Sequence, residues 1–236
     1  HYYKAAAWHG AGGELLFEAE ALYMAGDFTE ALRLCRQAET VAALHGQLCN
    51  TLCALFLRAR LALARKNTST ACAAVREMRD LITKKQDYFL LHTAEVCAAR
   101  LSGLLRRPDE IPAWVHEGRG ERIYAFAQGD FRLAQGRALL LAGDAAAVLG
   151  LFHALLQTPL FDKHRLFFIY AHIFLAAAHA MLDAREKALE SLRAALDAAL
   201  PDDVLMPFVE NADLVLPLLL APQETRHEDG VRRILA

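Results

Sequence analysis

Residues Gly12–Glu39 read GGELLFEAEALYMAGDFTEALRLCRQAE, two helix-like stretches on either side of Ala25-Gly26-Asp27-Phe28. Gly26 can take the left-handed conformation that ends a helix. Asp27 and Glu30 have the spacing of an N-cap and an acid at the third helical position, which satisfy free N–H groups at a helix start. Thr29-Glu30-Ala31-Leu32 then opens the second helix. A single hairpin of this kind has an apolar face and nothing to bury it against, so it must stack on copies of itself.

The copies are present. With Ala19, Gly26 and Ala31 as markers, an offset of 40 gives Ala59, Lys66 and Ala71, and an offset of 80 gives Ala99, Arg106 and Ile111. An offset of 117 gives Gly136, Gly143 and Val148, and one of 157 gives Ala176, Asp183 and Ala188. Hairpin turns are therefore expected near 26, 66, 106, 143 and 183. The first marker is small in every copy, as a close crossing of two helix backbones requires. Three residues earlier stand Leu16, Phe56, Val96, Leu133 and Ile173, all apolar, so one face of each first helix is built for packing. Asp183 with Glu186 repeats the capping spacing of Asp27 with Glu30. In the third copy Pro108 and Pro112 are expected to shorten or kink the second helix, and Gly118 and Gly120 to end it.

After the fifth hairpin, LPDDVLMPFVENADLVLPLLLAP breaks the rhythm, since Pro201, Pro207 and Pro217 preclude one straight helix. Short helices over about 208–220 and 223–235 are expected there, forming a cap over residues 201–236. No Gly/Ser-rich linker interrupts the chain, so residues 1–236 read as one continuous array.

Composition agrees with an all-α chain: 55% of residues are hydrophobic and only seven are proline. The net charge of −2 argues against direct nucleic-acid binding. The five cysteines (Cys35, Cys49, Cys53, Cys72, Cys97) contain no CxxC and fit a reduced, cytoplasmic chain. The N-terminal HYYKAAAWHG lacks the basic-then-apolar pattern of a signal peptide. Leu166–Leu182 is uncharged but carries His172 and His179 and keeps the register of the hairpins, so it reads as a buried helix rather than a membrane span.

The first hairpin resembles the tetratricopeptide repeat, with its small residue on the first helix, its Gly-Asp-aromatic turn and its Ala opening the second helix. That family's usual period is shorter. A period near 40 is similar to that of the superhelix in large LuxR-type, MalT-like transcriptional regulators. Met206-Pro207-Phe208-Val209-Glu210-Asn211-Ala212, followed by Leu214 and Leu218-Leu219, looks like the segment that follows the last repeat in those regulators. The resemblance implies a right-handed superhelical solenoid of about five hairpins that senses an effector. An ATP-binding domain would lie upstream and a helix-turn-helix downstream. No GxxxxGK[ST] occurs, so this segment is expected to hold no cofactor, and ATP would belong to the missing upstream domain. The chain stops at Ala236, so a helix-turn-helix is not expected within it.

One residue after the small marker stand Glu20, Arg60, Arg100, Arg137 and Ala177. In tetratricopeptide arrays this position points toward the concave groove, and guanidinium groups there can grip carboxylate or phosphate in pairs of hydrogen bonds. Glu20, Tyr23, Arg60, Arg100, Arg137 and Tyr170 are thus candidate contacts for a small-molecule effector or a regulatory protein or peptide. The competing expectation is a ladder of ion pairs between repeats, Glu20 with Arg60 for example.

Other clusters carry less. His45, Cys49 and Cys53 have metal-ligand spacing on one helix, but Gly46 interrupts that helix. His172 and His179 are expected as satisfied core or groove histidines. Tyr88, His92 and Glu95 could form a polar cluster, yet no nucleophile accompanies them and no GxSxG occurs, so the chain is not expected to be an enzyme. Arg226–Arg233 mixes both charge signs and reads as a solvated helix face or the approach to a downstream domain. An exposed apolar end of the stack would favour self-association. Two rival functions are an adaptor binding a partner's peptide segment and an accessory or scaffold subunit. The adaptors' carboxylate clamp of Asn and Lys is not matched by Glu20, Arg60 and Arg100.

Overall fold

The computed structural model describes residues 10–158, 164–221 and 225–235, except the side chains of Tyr88, Phe89, Ala125 and Thr225. All regular structure among them is helical. By contact the chain divides into two compact units, residues 1–98 and 99–236.

The first unit contains α1 (Gly13–Ala25), α2 (Phe28–Leu44), α3 (Leu48–Ala64) and α4 (Thr68–Lys85), and α5 (Tyr88–Leu104) begins in it. Among the first four, α1 packs on α2, α2 on α3 and α3 on α4, and α1 also touches α3. Two or three residues separate these helices, which leaves the chain no course but to fold back. The turns share one device. Left-handed residues fall at Gly26, Gly46, Lys66 and Gln86, with φ between 53° and 90°. After each, the next N–H donates to a carbonyl five residues back: Asp27 to Leu22, Gln47 to Ala42, Asn67 to Ala62 and Asp87 to Ile82. This satisfies carbonyls that the helix end would otherwise strand. The following helix is capped at once, as Asp27 Oδ1 accepts from the Glu30 N–H and Asn67 Oδ1 from the Thr70 N–H.

The second unit holds α6 (Ala113–His116), α7 (Gln128–Leu141), α8 (Ala145–Leu156), α9 (Arg165–Met181), α10 (Arg185–Ala199), α11 (Met206–Glu210), α12 (Ala212–Leu219) and α13 (Thr225–Leu235). Helix α9 is its centre, packing on α7, α8, α10, α11 and α12. Arg106, Gly143, Asp183 and Asp203 repeat the left-handed turn. All five expected hairpin turns, at 26, 66, 106, 143 and 183, are left-handed residues.

The seam of small residues is buried as expected: Ala19, Ala59, Ala99 and Ala176 have no exposure. At the fourth copy even alanine would be too large. A Cβ on Gly136 would lie 2.4 Å from the Phe152 ring, which stands edge-on to Phe174 at 5.3 Å. The second helix of the third copy is reduced to a 3₁₀ turn at Pro108–Glu110 and the four-residue α6, and Gly118 has φ 76°.

Two expectations need correction. Asp183 is not the N-cap of α10: it adopts φ 57° as the left-handed residue closing α9, and Ala184 takes the cap position without a side-chain bond. The tail is also more broken than expected, because Asn211 separates α11 from α12. The N-terminal nine residues lie outside those described. Among the described residues no helix is long and apolar enough to cross a membrane.

Candidate functional site

The six candidate residues all sit where helices meet, and the two units use the same chemistry. In the first, Arg60 on α3 is buried and its Nη1 lies 2.5 Å from Glu20 Oε1 on α1. Its guanidinium carbon stands 4.5 Å above the Tyr23 ring and 5.6 Å from the Phe56 ring. A planar cation against an aromatic face, closed by a carboxylate, is a favourable way to hold guanidinium away from water. Tyr23 is itself buried, while the Glu20 side chain keeps 31% exposure.

In the second unit, Arg100 lies 5.0 Å from the centre of the Tyr170 ring. Its carboxylate neighbours are Asp130, with Oδ1 3.3 Å from Nε, and Glu210, with Oε2 3.7 Å from Nη2. The Tyr170 hydroxyl donates to Glu210 Oε2 at 2.5 Å. Arg, Tyr and Glu are thus assembled around both Arg60 and Arg100, from different places in the chain.

Arg137 on α7 is held differently. Its Nε donates to the Gly103 carbonyl at 3.1 Å, Nη1 to Asn211 Oδ1 at 3.3 Å, and Nη2 to both oxygens of Asp213 at 2.7 and 2.8 Å. Gly103 permits this approach, since a Cβ there would lie 2.8 Å from Arg137 Cγ. Asn211 is fully buried and donates onward to the Pro207 carbonyl at 2.8 Å. Burial pulls the Arg137 pKa below its usual range, and the Asp213 hydrogen bond opposes that shift.

The tail therefore serves the arginines. Glu210, Asn211 and Asp213 supply oxygens to Arg100 and Arg137, and Asp213 also reaches Arg106 at 3.0 Å. Glu20 meets Arg60 as the ion-pair ladder expects. The partners Asp130, Asn211 and Asp213 were not among the candidates. One signal for the ladder was present: Glu20 and Arg60 are 40 residues apart, as are Tyr170 and Glu210, and each pair spans one period.

The remaining clusters separate. His45 caps the end of α2 while Cys49 and Cys53 ride on α3, so the three do not share a helix. The Tyr88 side chain lies outside the described residues, and His92 and Glu95 are half-buried on α5. Arg232 and Asp229 pair on the exposed face of α13, while His227 is buried against Asp197 at 2.8 Å. No protein-family model matches the chain, and no curated protein or solved structure matches it either.

Proposed function

We propose that this chain is the effector-sensing and protein-interaction segment of a LuxR-type, MalT-like transcriptional regulator, with flanking ATP-binding and helix-turn-helix domains. The fold proposed with it is a right-handed solenoid of about five hairpins, closed by the cap at 201–236. Contacts between successive helices from α1 to α4 and from α7 to α10, with those from α1 to α3 and α7 to α9, support stacking within each unit. So do left-handed turns spaced 20 residues apart from Gly26 through Arg106.

The observation that carries the regulatory reading is the tail. Glu210 and Asn211, within the segment of closest resemblance, each serve a buried arginine of the stripe. In this proposal Arg60, Arg100 and Arg137 tie the wall of the solenoid together, and effector or partner contacts fall on the more exposed side chains around them. Binding would shift a resting–active equilibrium by its differential affinity for the two states.

Sequencing the reading frame on both sides of this segment tests the proposal. A phosphate-binding GxxxxGK[ST] domain upstream and a helix-turn-helix downstream are the expected result. A frame encoding neither would sink it.

A further inference from the structure

A crevice between three consecutive helices occurs twice, and its two versions are built oppositely. In the first unit α2, α3 and α4 enclose about 480 Å³, and in the second α8, α9 and α10 enclose about 700 Å³. An offset of 117 relates the residues of one to those of the other. In the first crevice Arg58 bridges Glu39, at 3.4 Å, and Glu77, an ion triad that ties α2, α3 and α4 together. The equivalent positions in the second are Leu175, Leu156 and Ala194. The lock is gone, and apolar or small side chains stand where it was.

The polar groups around the opening also differ, and three of them, His172, His179 and Ser191, replace apolar residues. His153, His172, His179, Lys187 and Ser191 line the second cleft at positions held in the first by Arg36, Leu55, Ala62, Thr70 and Ala74. The His153 and His179 rings are 6.4 Å apart, and Phe168 lies 4.2 Å from His172. The expectation of satisfied histidines fails at His172, whose Nδ1 is buried without a hydrogen-bond partner. Buried polar atoms left in that state are rare and costly, and a ligand atom would supply what is missing. Among the described residues no group of three His, Cys, Asp or Glu is placed to hold a metal ion.

We propose that the cleft between α8, α9 and α10 binds a small organic carboxylate, its anionic end among His172, His179 and Lys187 and its hydrocarbon body against Phe168, Leu156 and Leu175. Lys187 and Glu190 balance in charge, while the three imidazoles supply N–H donors and, once protonated, positive charge, so the lining favours an anion most as pH falls. The volume falls within the ordinary range for small-molecule sites, which are mostly apolar with a few convergent polar groups. Burial, and then the neighbouring His153, lowers the proton affinity of His172 and His179. A carboxylate held beside them would reverse that shift, so binding takes up protons and tightens as pH falls. The groups in range are His153 from α8, His179 on α9 itself, and Lys187 and Glu190 from α10. The inference goes beyond the regulatory proposal and holds for any role of the chain.

Histidine-ring NMR spectra of the whole chain, titrated with benzoate and with uncharged benzamide, provide the test. Benzoate is expected to shift the His153, His172 and His179 rings saturably, leaving His92 and His116 unmoved. Its affinity should rise by up to about tenfold per pH unit where one proton is taken up. Ala194→Trp, which fills the cleft, should abolish the shifts, and His153→Ala on the exposed rim should weaken binding without threatening the fold. Unmoved rings, equal shifts with benzamide, or undiminished binding in a folded Ala194→Trp or His153→Ala variant would overturn the assignment.

Discussion

Arg137 and Asp213, 76 residues apart, are joined by two hydrogen bonds from one guanidinium nitrogen to both carboxylate oxygens, at 2.7 and 2.8 Å. The arginine side chain is 2% exposed and the aspartate 30%, so the cation depends on the pair more than the anion does. Removing one member of a buried pair costs about 3–5 kcal/mol, because the other is left buried without compensation. Asp213→Ala is expected near the lower end of that range in urea denaturation. Arg33→Ala, which breaks an exposed pair with Glu30, should leave the urea midpoint nearly unchanged.

Two glycine-to-alanine substitutions should act with opposite signs. At Gly136 the new methyl meets the Phe152 ring at 2.4 Å, so Gly136→Ala should lose roughly 1–3 kcal/mol through overpacking. At Gly150, exposed on α8, nothing lies within 4 Å, and Gly150→Ala should gain about 0.5–1 kcal/mol from the stiffer unfolded chain. Chemical denaturation of both variants checks the difference.

The left-handed turns predict a second contrast. Lys66 holds φ 59° with a side chain that disfavours it, whereas Gly26 holds φ 90° freely. Lys66→Gly should stabilise the chain by roughly 0.5–1 kcal/mol, and Gly26→Ala should destabilise it by about 1 kcal/mol. No atom lies within 4 Å of the Cβ that would be added at Gly26, so that loss would report backbone strain alone. Thermal unfolding of the two variants reads the effect.

Acidification should weaken the second unit through His172 and His179. Their folded pKa values lie below the ordinary value of 6.5, chiefly through burial. The unfolded chain therefore binds more protons as pH falls below 6.5, and stability drops through that window until the folded-state pKa is passed. Stability above pH 6.5 should be independent of these two groups. Urea midpoints measured from pH 7.5 to 5 should show this slope, and His172→Leu should flatten it.

Much of the architecture was legible because it rests on local chemistry. Ala19, Ala59, Ala99, Gly136 and Ala176 announce a buried crossing by size alone. Gly26 and Gly143 announce turns by their freedom at positive φ. Asp183 misled because aspartate serves both as an N-cap and as a left-handed residue, and only its register against Gly26 decides between the two. The site was less legible for a different reason. Arg137 finds Asp213, and Arg100 finds Glu210, through the path of the tail, which no local pattern encodes. The wide cleft is similar: His172 and His179 are linked by helical spacing, but His153 and Lys187 join them only when three helices are packed.

Stacked helical hairpins can in general fold as they emerge from the ribosome, each new unit needing only its neighbour. The side-chain oxygens of Glu210, Asn211 and Asp213 change that for the second unit. A nascent chain ending at Leu205 would already contain Arg100 and Arg137 but would lack these tail partners. Docking both arginines in the dry interior at that stage would strand their charge. The stretch from Glu210 to Asp213 thus acts as a checkpoint: the second unit cannot finish folding until these residues have been made.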